Sequence, residues 1–272
     1  MAPTAHHDDE EKGLHRTPTG VTMSPELFEK LYLSPKVPRA GDYNKRFANP
    51  TALGFIGFVI SASTFAMITM GWGGTAGLSP VAGIFFFTGP VTMILALIFE
   101  WIIGNFFSMM VMGLFAVFWL SLGLLQVPNL SLGAPFATPG DPTGTLSREY
   151  NAAIGLYLVV YGFAFLTFFI FTTRLNAVLA TIFSLTATAT WLLAAAFFKA
   201  SWGDYHTSSI LQKAGGAIIF AVAMLGWYMT FVIMAGEMRI TFDFPVGDLS
   251  HFWPATDVEL AAAAAREREH SD

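Results

Sequence analysis

Side chains able to do chemistry are scarce in the apolar parts of this sequence, and those present are amides and hydroxyls. Asn49, Asn105 and Asn176 each open a long apolar run, the first, third and fifth of six. Nine or ten residues further on, these runs carry Phe58, Phe115 and Leu185. At a helical rise of about 1.5 Å per residue that is about 14–15 Å from the asparagine, near the middle of a hydrocarbon core about 30 Å thick. Three parallel helices can thus present a polar ring at one mouth and an apolar ring at the centre. The plain alternative is that Asn is a frequent helix cap and that Phe and Leu are frequent anywhere in lipid.

An anion held at such a mouth would meet no full positive charge, because no Lys or Arg lies inside an apolar run, Lys213 standing only at the edge of the sixth. Helix N-termini can substitute, since unpaired N–H groups and the macrodipole favour anions. Asn49-Pro50 suits such an end, with Asn as cap and Pro at the first helical position. The expectation is that the amides of Asn49, Asn105 and Asn176, with nearby N–H groups, bind a small anion. Glu100 is the ionisable residue nearest the membrane, read at a helix end within reach of water. It can carry a coupling proton or organise the turn it sits in. Thr64, Thr69, Thr88 and Thr186 can offer hydroxyls, or bond back to their own helices.

These residues need six spans to position them. The runs are 50–71, 79–99, 104–126, 150–172, 175–198 and 213–235, each near the roughly 20 residues that cross a hydrocarbon core. With 54% hydrophobic and only 12% charged residues, against about 25% charged in soluble domains, the chain reads as an all-α polytopic membrane protein. Hydrocarbon excludes open strands. Lys36, Arg39, Lys45, Arg46, Arg174 and Arg239 flank one side, and Arg148, Lys199 and Lys213 the other. That bias puts both termini in the cytoplasm. Small residues such as Gly54, Ser61, Gly215 and Gly216 allow close helix contacts.

Residues 1–48 read as a polar cytoplasmic tail with no signal peptide. It opens on the acidic run His6–Glu11, and Ser24-Pro25 begins a short amphipathic helix reaching Tyr32. Residues 49–237 are expected to form the six-helix transmembrane domain. Residues 238–272 form a second cytoplasmic tail, with a short helix after Asp257. The loop 127–149, rich in Pro and Gly, is expected to be irregular. The absence of cysteine excludes thiolate chemistry. No Ser-His-Asp or metal-ligand constellation lies within the spans, and His206 and His251 are isolated. The reading is therefore no enzyme, no cofactor, no metal and no nucleic acid partner.

Asn49-Pro50-Thr51-Ala52-Leu53-Gly54-Phe55 resembles the N-P-A-P-L-G-L signature of the acetate uptake transporter family, departing at Thr51, Ala52 and Phe55. That family includes bacterial acetate–succinate permeases and fungal acetate permeases and ammonia-export proteins. Glu100-Trp101-Ile102-Ile103-Gly104-Asn105-Phe106-Phe107, Phe118-Trp119-Leu120, Thr173-Arg174-Leu175-Asn176 and Phe244-Pro245-Val246-Gly247-Asp248 resemble further family motifs, in order, across residues 44–250. The resemblance implies a six-helix protomer that assembles as a homo-hexamer, each protomer with its own pathway. It implies a constriction of Phe, Tyr and Leu at Phe58, Phe115 and Leu185, with Phe115 replacing the Tyr and its hydroxyl. It also implies that Gly226, beside Trp227 and Tyr228, lines the pathway and leaves room for a larger acid.

The expected function is a transporter or channel for acetate and related short monocarboxylates, proton-linked, in the plasma membrane. One alternative is an ammonia or ammonium exporter. Another, of a different class, is an acetate-responsive sensor that signals through its tails.

Overall fold

The structure is a computed structural model that describes residues 48–240 and 244–254. The His6–Glu11 run, the helix expected from Ser24 to Tyr32 and the one expected after Asp257 lie outside the described residues. Among the described residues the fold is helical, with no strand. Six helices are long and apolar enough to cross a bilayer. They are α1 (Thr51–Met70), α2 (Gly89–Ile103), α3 (Phe106–Leu125), α4 (Arg148–Thr172), α5 (Ala177–Ser201) and α6 (Tyr205–Glu237). Each satisfies its backbone within one segment, as hydrocarbon requires.

The ends carry their own signals. Gly71 and Gly104 close α1 and α2 in the left-handed conformation, at φ 81° and 84°, which glycine adopts without a Cβ clash. Ser147, Asn176 and Asp204 cap α4, α5 and α6, accepting from the N–H of Tyr150 at 3.2 Å, Leu179 at 2.8 Å and Thr207 at 3.1 Å. The hydroxyl and N–H of Thr207 hold the Asp204 carboxyl below its ordinary value, and Lys199 adds to this from 3.6 Å.

Two boundaries differ from the hydropathy reading. The second span continues to Ile103, and a wide π turn, Ile84–Thr88, precedes α2. Pro90 has no N–H to continue an α-ladder, and the widened turn absorbs the gap with Gly89 N–H bonded to Ile84 O. The sixth helix starts at Tyr205 rather than near 213 and runs 33 residues. At about 50 Å it is longer than the hydrocarbon core. Lys213 ends the apolar run without ending the helix, because the cap lies further back, at Asp204.

Helices adjacent in space follow the order α3, α2, α1, α6, α5, α4. The ring closes between α4 and α3 through aromatic pairs: Phe107–Phe168 at 5.7 Å between centroids, and Phe115–Phe165 and Phe118–Tyr161 at 5.0 Å. Asn49 Nδ2 donates to Glu237 Oε1 at 2.9 Å, tying the start of α1 to the end of α6. The side that carries this contact is called the terminal face. The opposite side carries the loop after α3 and is called the loop face. That loop has no helix longer than a turn, yet it is ordered by side chains. The Asp141 carboxylate accepts from Leu146 N–H at 2.6 Å and from the Thr143 hydroxyl at 2.8 Å.

Apolar side chains such as Phe87, Trp101, Val160 and Phe163 face outward, so the bundle is held by close packing rather than by hiding apolar surface from water. Gly57 shows how close. A methyl there would overlap Thr92 Oγ1 and come within 3.0 Å of the carbonyl oxygens of Thr88 and Gly89. Gly57→Ala is therefore expected to cost about 1–3 kcal/mol and to lower the melting midpoint in detergent, followed by circular dichroism. Gly113→Ala, whose methyl would meet Leu97 at an ordinary 3.4 Å, should melt no lower than the unaltered protein.

Candidate functional site

Two cavities, each of about 30 Å³ and so with room for roughly two water molecules, are walled mainly by α1, α3 and α5, with Met93 of α2 in one wall and Phe165 of α4 and Val222 of α6 in the other. The inner one opens among the first turns of α1, α3 and α5 and includes Thr51, Phe55, Phe107 and Leu179 in its wall. The outer one lies toward the loop face and includes Phe65, Trp119, Thr186 and Thr190. Phe58 and Phe115 line both. Their rings sit 4.7 Å apart at 57° and stand between the two spaces. Phe115 also stacks on Phe165 at 5.0 Å. Both walls are almost wholly apolar, because the hydroxyls of Thr186 and Thr190 donate to the carbonyls of Ile182 and Thr186. Thr64 and Thr69 bond back in the same way.

The model of the GPR1/FUN34/yaaH family matches residues 33–251. The chain belongs to this family. It is 35% identical to Protein alcS of Aspergillus fumigatus over 261 residues, covering 93% of this chain and 94% of the relative. It is 32% identical to the Acetate transporter protein patA of Penicillium expansum over 208 residues, covering 76% and 80%. It is 27% identical to the Ammonia transport outward protein 2 of Saccharomyces cerevisiae over 190 residues, covering 70% and 62%. Its fold is similar to that of the bacterial acetate channel SatP, with a TM-score of 0.58 and 23% identity over 74% of this chain and 99% of that one. The relatives whose names state an activity are named for transport, not for an enzymatic reaction.

In this family member the three asparagines do three different things. Asn49 precedes Pro50 at the cap of α1. Its Oδ1 accepts from Thr51 N–H at 3.0 Å and its amide holds Glu237. Asn105 is wholly buried and makes no cap bond. Its amide donates to Glu100 Oε2 at 2.6 Å. Asn176 is wholly buried and caps α5. None of the three lines the inner cavity, but Thr51 does. The expectation of unpaired N–H groups at the start of α5 needs correction. Ala177 N–H donates to Gly247 O at 2.7 Å, Val178 N–H to Val246 O at 3.3 Å and Leu179 N–H to Asn176 Oδ1. The segment from Phe244 to Leu249 thus lies across the start of α5, with Val246 buried and Leu249 N–H bonded to Leu175 O.

Glu100 is also placed differently from the expectation of a water-accessible helix end, for it is fully buried. Gly104 reverses the chain after α2, and Asn105 N–H bonds to Glu100 O at 2.9 Å, folding the start of α3 over the carboxylate. The Thr51 hydroxyl bonds to Glu100 Oε1. Glu100 thereby joins the starts of α1 and α3 and reaches the inner cavity through Thr51.

Leu185 is half-buried and lines neither cavity. The α5 residues that do so include Ile182 and Thr186, one turn apart, and Leu185 is rotated away by about 100° from Thr186. Gly226 lines neither cavity, but its missing side chain seats Phe58. A Cβ there would come within 3.3 Å of Phe58 Cε1 and 2.6 Å of Val59 Cγ1. Tyr228 donates its hydroxyl to Pro245 O at 2.8 Å and so fastens the segment that covers α5. Sequence reasoning missed Thr51, which reads there only as a departure from the family signature. Its spacing from Asn49 carried no sign of the long-range bond to Glu100.

The carboxylate of Glu100 is the acceptor for buried donors, which predicts different outcomes for two substitutions. Glu100→Ala leaves the Asn105 amide stranded and should cost about 1–3 kcal/mol. Glu100→Gln can keep its oxygen toward Asn105 and turn its amide to the Thr51 hydroxyl, so it should retain most of that stability. Thermal unfolding of both variants in detergent checks the order.

Proposed function

We propose that the protein conducts acetate and similar short monocarboxylates across a membrane together with a proton. The observation that carries this is the pair of apolar cavities sharing Phe58 and Phe115, in a chain whose relatives include a named acetate transporter. A bare carboxylate at the centre of a bilayer costs several kcal/mol, and no cation within these walls offsets that. The neutral acid, or an anion with its proton, meets a much smaller barrier.

We assign the constriction to Phe58 and Phe115, with Leu185 packed against the same core from α5. Asn49, Pro50, Asn105 and Asn176 shape the mouth on the terminal face, and Glu100, through Thr51, is the group that carries the coupling proton. Gly226 sets the seat of Phe58, and Tyr228 holds the covering segment in place. Both termini are assigned to the cytoplasm and the protein to the plasma membrane as a homo-hexamer, in line with the flanking Lys and Arg residues and with the family resemblance. A second reading, ammonia movement, is favoured by the relative named for ammonia transport.

Reconstitution in liposomes tests both readings. Labelled acetate should enter faster under an inward proton gradient than without one, and an ammonium pulse should change internal pH no faster than in empty vesicles. Acetate flux equal to that of empty vesicles, from folded protein, would sink the first reading. A protein-dependent ammonium response would raise the second. Phe58→Ala opens the junction between the cavities, so acetate flux should rise severalfold and four-carbon acids should begin to pass.

A further inference from the structure

The chain after α6 crosses the start of α5 as a short strap. Phe244 packs edge-on against Phe231 of α6, 5.2 Å between centroids at 88°, and the Tyr228 hydroxyl donates to Pro245 O at 2.8 Å. From there the strap runs antiparallel to the residues that open α5. Ala177 N–H donates to Gly247 O at 2.7 Å, Val178 N–H to Val246 O at 3.3 Å and Leu249 N–H to Leu175 O at 3.3 Å. Asn176 and Asp248 face each other between these bonds. Gly247 adopts φ 67°, and a Cβ there would come within 2.9 Å of Ala177 Cβ, so the strap lies this close because the residue is glycine.

The strap holds part of a wall that has to move. The inner cavity, at about 30 Å³, has room for roughly two water molecules, and acetate is larger. Much of its wall is interlocked. Phe58, Phe107, Phe115 and Phe183 pack ring to ring, and Thr51 is bonded to Glu100. Leu175 and Leu179 line the same cavity from the start of α5, where the backbone is bonded to the strap. Of Pro245, Val246, Gly247 and Asp248, only Val246 is buried. Release of the strap therefore uncovers one apolar side chain and opens backbone bonds at the surface. That is the profile of an element that opens locally while the rest of the fold stays intact.

We infer that residues 244–249 are a latch on the inner cavity. Docked, the strap holds Leu175 and Leu179 inward and keeps the cavity smaller than its substrate. Released, it lets the start of α5 move outward, and a short carboxylic acid enters from the terminal face. Phe244 and Pro245 stay with α6 and act as the hinge, while Val246 to Leu249 leave α5. This rests on the carboxylate reading above.

A pair of introduced cysteines tests the latch, since the native chain has none. Asn176 and Asp248 oppose each other without bonding to each other. In such an antiparallel pair the Cα atoms lie about 4.5 Å apart, within reach of a disulfide. The full chain carrying Asn176→Cys and Asp248→Cys is placed in liposomes, and labelled acetate uptake under an inward proton gradient is followed before and after dithiothreitol. With the strap tied down, uptake should be at least about fivefold slower, and reduction should restore it. Asp248→Cys alone should respond to neither treatment. Amide exchange in nanodiscs reads the latch without substrate: Ala177 and Val178 N–H should exchange faster in the reduced protein than in the oxidised one. Equal uptake in both states, with the cross-link shown by mass spectrometry, would overturn the latch and leave the conduit standing. Exchange that oxidation slows, in a protein without flux in either state, would keep the latch and reject the conduit. If the disulfide does not form, Gly247→Val decides the matter, because its side chain pushes the strap off Ala177. Uptake should then rise about twofold or more, and a rate no higher than that of the unaltered protein, with faster exchange at Ala177 and Val178, would overturn the latch.

Discussion

Hydrocarbon supplies no hydrogen bonds, and that constraint arranges the polar side chains of this protein. The hydroxyls of Thr64, Thr69, Thr92, Thr181, Thr186, Thr188, Thr190 and Thr230 all donate to the carbonyl four residues back in their own helices. They add little polarity to the spaces they border. The acid that does lie inside, Glu100, is enclosed by donors from the starts of two other helices. What remains between the helices is a pair of apolar, aromatic-walled cavities. On the proposed reading, selectivity there comes from size and from the difficulty of desolvating charge rather than from a ring of fixed cations.

The aromatic junction follows from how the helices are seated. Phe115 is wedged by Phe165 at 5.0 Å and by Phe183 at 6.0 Å, and Phe165 is itself packed against Phe118 and Tyr161. A rotation of Phe115 would disturb the seam that joins α3 to α4. Phe58 has a different surrounding, with Phe115 on one side and the bare backbone of Gly226 on another. Opening the junction therefore asks less of the ring on α1 than of the ring on α3. The substituent at position 226 controls how Phe58 sits without entering either cavity.

Span existence was legible from hydropathy, since each of the six apolar runs became one helix. The length of α6 was not, because Lys213 interrupts the apolar run while the helix obeys a cap at Asp204. The depth argument singled out Phe58 and Phe115, which the fold brings into contact, since helical rise is a local property. It could not place Leu185, because facing depends on the rotation of α5 within the bundle. The burial of Glu100 and the bond it receives from Thr51 both depend on neighbours distant in sequence. The segment after α6 escaped for the same reason. A tail boundary at residue 237 follows composition, whereas Val246 and Gly247 are committed to α5 by backbone bonds that no side-chain pattern announces.

That commitment bears on which form of a carboxylate can pass. With the first N–H groups of α5 taken by Gly247, Val246 and Asn176, the positive end of this helix has no unpaired donors to offer an incoming anion. At pH 7, protonating a carboxylic acid of ordinary pKa costs about 3–4 kcal/mol. Placing its bare charge at mid-membrane costs about as much on the most lenient scale and several times more on others. The protonated route is thus at least as favourable through these walls. Its cost falls by about 1.4 kcal/mol for each unit by which pH drops on the side of origin. On the proposed reading, dependence of carboxylate flux on a proton gradient follows from the apolar lining itself, and Glu100 sets how fast the proton is delivered, not whether one is needed.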